Sequence, residues 1–290
     1  MVFRGSGTAL ITPFRKGKVD WIALEVLVEK QVEAAVDALV VCGTTGEPST
    51  MSLEEQLAVT NFVLKHASGI PVIAGIGGNN TDSAIRRARV MQALGVDGLL
   101  AVTPYYNKTT QAGLYAHYTA IADAVTKPIV LYNVPSRTGL NLLPTTTAQL
   151  AEHENIVALK EANPDMSQIM EDFRLAGDKI AIYSGNDDLV YPFLTLGGAG
   201  VISVASNLIP RVMRDMTARF FAGDWKGSLA LQQDYMPLFD LLFAQVSPLP
   251  VKAAMARVGL IANDVRLPLL PLTDAEAAPL YEELAQMGIG

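Results

Sequence analysis

The chain has 290 residues, half of them hydrophobic, and a formal net charge of -7 from 22 lysines and arginines against 29 aspartates and glutamates, with a pI near 5.0. An acidic surface repels phosphate backbones and anionic lipid, so neither nucleic acid nor a membrane is an expected partner. The single cysteine, Cys42, excludes an intramolecular disulfide and a cysteine-built zinc site, and the three histidines lack ligand spacing.

No apolar run reaches the roughly 20 residues that span a bilayer. No apolar signal segment opens the chain, and a cytoplasmic protein is expected. In chain order, one unit keeps returning. Continuous apolar runs at 8–11, 38–42, 72–76, 98–102, 129–132, 156–160, 180–184 and 200–204 each lead through a turn into an amphipathic stretch. Their starts fall 20–34 residues apart, the length of a strand–loop–helix unit. Runs that are apolar throughout, without alternation, suit parallel strands covered on both faces. Helix ends are marked as well: Asp20 and Thr81 are predicted N-caps, Ser52 and Glu55 a capping box, and Gly69 and Gly95 helix stops.

Eight such units predict an α/β fold, a (β/α)8 TIM barrel over residues 1–222. A doubly wound open sheet fits less well, because Thr12-Pro13-Phe14-Arg15, not a glycine fingerprint, follows the first run. Beyond residue 222 the strand pattern stops. Helical stretches at 224–243, 250–258 and 274–287 predict an appended C-terminal helical domain, residues 223–290. Two glycine-rich pieces are weak nucleotide signals. Gly75-Ile76-Gly77-Gly78 lacks the third glycine of a dinucleotide fingerprint, and Gly197-Gly198-Ala199-Gly200 precedes a strand, as a helix-to-strand turn would.

A barrel of this kind carries its site at the C-terminal ends of its strands. The polar residues there are Thr44 and Thr45, Tyr105 to Asn107, Tyr132 and Asn133 with Arg137, Lys160 and Glu161, Ser184 to Asn186, and Ser203. They form neither a Ser/His/Asp set nor a metal cluster. Lys160 is the only one of ten lysines that ends a predicted strand. Enclosure by the wall disfavours a charged ammonium, and a neutral amine can attack a carbonyl to form a Schiff base. The alternative is a lysine that snorkels outward or pairs with Glu161. Tyr132 is either a core aromatic or a phenol that moves protons at the carbinolamine, with Thr44 and Tyr106 as further hydroxyls of a relay.

With these residues in place, the chain resembles the Schiff-base-forming pyruvate lyase family over nearly its whole length. The matching pieces are Gly43-Thr44-Thr45-Gly46-Glu47, Thr103-Pro104-Tyr105-Tyr106-Asn107, Tyr132-Asn133-Val134-Pro135-Ser136-Arg137-Thr138-Gly139, Lys160-Glu161-Ala162, Gly200-Val201-Ile202-Ser203 and Pro250-Val251-Lys252. The paired threonines and Arg137 resemble the branch that condenses pyruvate with L-aspartate 4-semialdehyde on the route to diaminopimelate and lysine. The sialic-acid lyase branch typically has a serine in the first piece and lacks the arginine.

The resemblance implies a Schiff base between Lys160 and pyruvate, proton transfer by Tyr132, and a relay through Thr44 and Tyr106. It implies that Thr45 and the Ile202 backbone hold the pyruvate carboxylate, that Gly185 lines the substrate site, and that Arg137 binds the carboxylate of the aldehyde. It implies no cofactor and no metal, and a homotetramer of tight dimers in which Tyr106 reaches a neighbour's site. Lysine-inhibited relatives carry two histidines and a glutamate where this chain has Leu53, Gln56 and Ser83, so weak or absent lysine feedback is expected. A 2-keto-3-deoxy sugar-acid or sialic-acid lyase remains open, as does a silent keto-acid-binding paralogue, although a pure binder needs no proton relay.

Overall fold

The computed structural model describes residues 1–290. Eight parallel strands, β1 (Gly5–Ala9), β2 (Ala38–Val41), β3 (Val72–Gly75), β4 (Gly98–Val102), β5 (Ile129–Asn133), β6 (Ile156–Glu161), β7 (Ala181–Ser184) and β8 (Gly200–Ser203), close into a barrel where β1 pairs with β2 and β8. Helices alternate with the strands around the outside. The fold is the predicted (β/α)8 barrel.

Strand residues alternate between two cores, which is why the runs are apolar without a break. Val40, Ile73, Leu100, Val130, Ala158 and Ile202 fill the barrel interior, while Leu39, Val41, Leu99, Leu131 and Leu159 pack outward against the helices. The same period of two, continued to the strand ends, sets up the chemistry. Tyr132 follows Val130 and Lys160 follows Ala158 onto the inner face, whereas Asn133 and Glu161 turn outward.

Several local expectations change. β1 starts at Gly5, earlier than the apolar run, because its residues are small for close packing. A Cβ on Gly7 would stand 2.7 Å from the Phe3 ring, which stacks on Tyr183 with centroids 4.4 Å apart. A short hairpin, Phe14–Arg15 with Lys18–Val19, follows β1. The helix Thr81–Leu94 is capped by Asn80, whose Oδ1 accepts from Ser83 N at 2.9 Å. Thr81 is instead its first helical residue and pairs with His117 Nδ1 at 2.9 Å. Ala67, not Gly69, caps the helix Leu53–His66. Ser52 and Glu55 form the expected capping box, and Gly95 ends its helix at φ 95.

Both glycine-rich pieces hold glycine for backbone reasons. A Cβ on Gly75 would lie 2.0 Å from the Cys42 carbonyl oxygen, so glycine is needed where β2 and β3 approach. Gly197, at φ 98, makes the turn between the helix Val190–Thr195 and β8.

The stretch at 224–243 is two helices, Trp225–Asp234 and Met236–Leu242, because Pro237 begins a new helix and cannot continue the old one. Leu249–Arg257 and Asp274–Gln286 complete the chain. Leu238, Phe239, Leu242, Met255 and Leu280 join the same apolar cluster as the outer barrel core. The segment between the second and third of these helices bends over the barrel mouth. No helix is long and apolar enough to cross a membrane.

Candidate active site

The mouth of the barrel holds a cavity of ≈ 520 Å³, lined among others by Thr44, Thr45, Tyr132, Arg137, Lys160 and Gly185. Lys160 is only 5% exposed, and its Nζ lies 4.3 Å from the centroid of the Tyr132 ring. The two residues are register partners on β5 and β6, so one strand pairing sets their separation. Room for the lysine stem comes from Gly185, where a Cβ would meet Lys160 Cε at 3.1 Å and Ala162 Cβ at 2.7 Å. A nucleophile with its stem enclosed, a phenol ring against it and an opening beyond can admit and hold a small carbonyl compound.

Thr44 and Thr45 sit on the turn after β2, a short 3-10 helix Thr44–Gly46. Arg137 belongs to the one-turn helix Pro135–Thr138 after β5, where its Nη2 donates to the Ser247 carbonyl at 3.4 Å. A second chamber of ≈ 240 Å³ shares Thr44, Tyr132, Val134 and Arg137 with the first, so Thr44 and Tyr132 stand between the two spaces. Its far wall carries Arg87, which donates to the carbonyls of Ile76 and Gly77 at 3.0 and 2.9 Å. Gln56 is also there, its amide directed by the carbonyls of Pro48 and Met51 at 2.9 and 3.2 Å. Leu53 is partly exposed on the helix Leu53–His66, and the Ser83 hydroxyl accepts from Arg86 at 2.8 Å.

Two expected residues put no side chain into the cavity. Tyr106 is 91% exposed at φ 68 and lines neither space in the single chain. Ile202 is fully buried in the inner core, and its side chain is not part of the cavity wall.

Sequence reasoning did not foresee what lies behind the wall. Glu161 does not pair with Lys160, because consecutive residues of β6 face opposite ways. Its carboxylate accepts from Asn133 Nδ2 at 3.1 and 2.9 Å and from Asn163 N at 2.6 Å. Asn133 in turn takes Leu142 N on its Oδ1 at 2.9 Å. The neighbours of Tyr132 and Lys160 are thereby tied across the β5–β6 pair. Asp172, on the helix Met166–Ala176, is fully buried beside Glu161 and Thr147.

Burial raises the pKa of both carboxyls, and the charge of Glu161 raises Asp172 further. An acid raised in the fold contributes stability that is complete below its unfolded pKa of about 4 and is lost as pH rises through the folded value. Asp172→Asn removes that loss. Between pH 5 and pH 8 its stability relative to the parent is expected to rise by about 2 kcal/mol, read as a difference in denaturant midpoints. Equal midpoint differences at the two pH values would show that Asp172 keeps an ordinary pKa.

Asp187, after β7, is also fully buried and is pushed up to about 6 by burial. Its Oδ2 accepts from Val204 N and Ala205 N at 3.1 and 2.8 Å and so fixes the turn that leaves β8.

The model of the dihydrodipicolinate synthetase family matches residues 2–287. A 4-hydroxy-tetrahydrodipicolinate synthase of Trichlorobacter lovleyi is 49% identical over 280 residues, covering 96% of this chain and 97% of that one. Among solved structures, dihydrodipicolinate synthase of Thermotoga maritima superposes with a TM-score of 0.98 at 42% identity, over 100% of both chains. The chloride-inhibited enzyme of Acinetobacter baumannii, solved in complex with pyruvate, superposes at 0.97 and 42% identity over 99% of each chain. Matched along nearly its whole length in sequence and in fold, and with a strand-end lysine enclosed at the barrel mouth, the chain belongs to the dihydrodipicolinate synthetase family.

Proposed function

We propose that the chain condenses pyruvate with L-aspartate 4-semialdehyde to 4-hydroxy-tetrahydrodipicolinate, a step toward diaminopimelate and lysine. The observation that carries this reading is Lys160, enclosed in the cavity with Nζ 4.3 Å over the Tyr132 ring and with Arg137 at the rim. Lys160 attacks the pyruvate C2 carbonyl, and loss of water from the carbinolamine leaves an iminium. Loss of a C3 proton gives the enamine, which attacks the aldehyde carbon. The substrate's own amine then adds to the iminium carbon and expels Lys160, closing the ring.

Tyr132 passes protons at the carbinolamine, with Thr44 beside it between the two chambers. Thr45 and the Ile202 backbone hold the pyruvate carboxylate, and Gly185 leaves room for the adduct. Arg137 offers two parallel N–H donors to the second carboxylate. The reaction uses no cofactor or metal.

Tyr106, exposed and outside its own cavity, serves the site of a second copy, in a homotetramer built from dimers. Residues 223–290 act as an appended helical domain whose 243–247 segment roofs the cavity. The protein works in the cytoplasm.

The test is turnover of pyruvate plus L-aspartate 4-semialdehyde, coupled to the downstream reductase and followed as NADPH loss. Turnover with this aldehyde and none with 2-keto-3-deoxy sugar acids or sialic acid is expected. Cleavage of a sugar acid without condensation would move the chain to the lyase branch. In the same assay, millimolar lysine is expected to leave the rate within twofold, since Leu53, Gln56 and Ser83 offer a bound ammonium no carboxylate. Half-inhibition below 1 mM would contradict that.

A further inference from the structure

Glu47 and Lys252 lie 205 residues apart in sequence and meet as a fully buried ion pair, Nζ to Oε1. Neither touches the cavity. Each nevertheless stands next to a piece of its wall.

Glu47 closes the turn that carries Thr44 and Thr45. Its N–H donates to the Thr44 carbonyl at 3.1 Å, and its backbone is left-handed at φ 54, a conformation a non-glycine residue keeps only when its surroundings hold it. Cys42, on the other side of the turn, is left-handed too, at φ 53. Lys252 begins five residues after Ser247, the residue whose carbonyl accepts from Arg137, and sits in the helix Leu249–Arg257.

The surroundings complete the pair. Lys252 Nζ also donates to the Asp264 carbonyl at 3.1 Å and lies 4.4 Å from the Phe14 ring centroid. Arg266 N donates to Glu47 Oε2 at 3.3 Å. The Arg266 guanidinium covers the same ring at 4.3 Å and binds Glu55 through two hydrogen bonds of 2.7 and 2.6 Å. The pair thus joins the end of the turn holding the two threonines to the helix that follows Ser247, the residue Arg137 binds.

We propose that Glu47 and Lys252 are positioning residues, a strut behind the cavity wall that sets the Thr44–Thr45 turn against the Arg137–Ser247 rim. This rests on the Schiff-base reading of the site and adds residues that act only through others. A strut of this kind should govern how well pyruvate is seated, and so act on KM for pyruvate and on the rate of adduct formation.

Removing one partner alone strands a buried charge and risks unfolding. Two variants avoid that. Glu47→Gln with Lys252→Met deletes both charges together, and Glu47→Asp keeps both while drawing the turn in by one methylene. Borohydride trapping of pyruvate is followed by mass spectrometry in both and in the parent, alongside melting curves and steady-state kinetics. For the double variant, melting near the parent's is expected, with adduct formation slowed at least thirtyfold and pyruvate KM raised at least tenfold. For Glu47→Asp, a three- to tenfold rise in pyruvate KM is expected with kcat little changed. Parental KM and trapping rate in Glu47→Asp and in folded double variant would overturn the strut while leaving the Schiff base standing. A parent that traps no pyruvate would overturn the reading of the site itself.

Discussion

Lys160→Ala is expected to lower kcat/KM by about 10⁴-fold, equivalent to about 5.5 kcal/mol of lost transition-state stabilisation. The reaction has no other route to a covalent enamine. The other fully enclosed lysine, Lys252, is held by Glu47 and does not line the cavity. Lys160→Arg should be as inactive, because a guanidinium stays charged and cannot form the iminium. Both variants should melt close to the parent, since Lys160 opens on a cavity and enters no ion pair. Loss of activity accompanied by global unfolding would remove the evidence for a chemical role, and activity within tenfold of the parent would exclude one.

Tyr132→Phe should cost kcat about 10²- to 10³-fold, the range for a lost general acid–base group, with pyruvate KM within about threefold. The ring that packs beside Lys160 Nζ is retained and only the hydroxyl is lost, so the lysine keeps its place. The loss should appear in formation and breakdown of the adduct, not in first binding. A large rise in KM with kcat intact would instead make Tyr132 a binding group.

Much of this was legible in the residues. β6 announces itself because Ile156, Val157, Ala158 and Leu159 are covered on both faces, and the lysine that ends it had to fall on one face or the other. The period of two, counted from Ala158, puts it inside. β1 was half visible, since close approach to Asp37 and Phe3 demands glycine at 5 and 7, where an apolar signal would otherwise stand. The break at Pro237 was readable in principle but hidden by the apolar residues on both sides.

Other parts had no local signature. Glu161 stands beside Lys160 in sequence and faces away from it in space, held by Asn133. Its buried neighbour Asp172 comes from the following helix, and no spacing rule joins the two. Lys252 and Glu47 could each be matched as residues, but 205 positions of sequence separate the two partners. Tyr106 could be assigned to the loop after β4, yet the single chain leaves it in the open, and no local pattern says what would cover it.

The most direct test of the central claim is to incubate purified protein with pyruvate, reduce with borohydride and map the modified peptide by mass spectrometry. The expected result is one pyruvate-derived addition per chain, on Lys160 and absent from Lys160→Ala. Addition at another lysine, or none at all, would contradict the Schiff-base site.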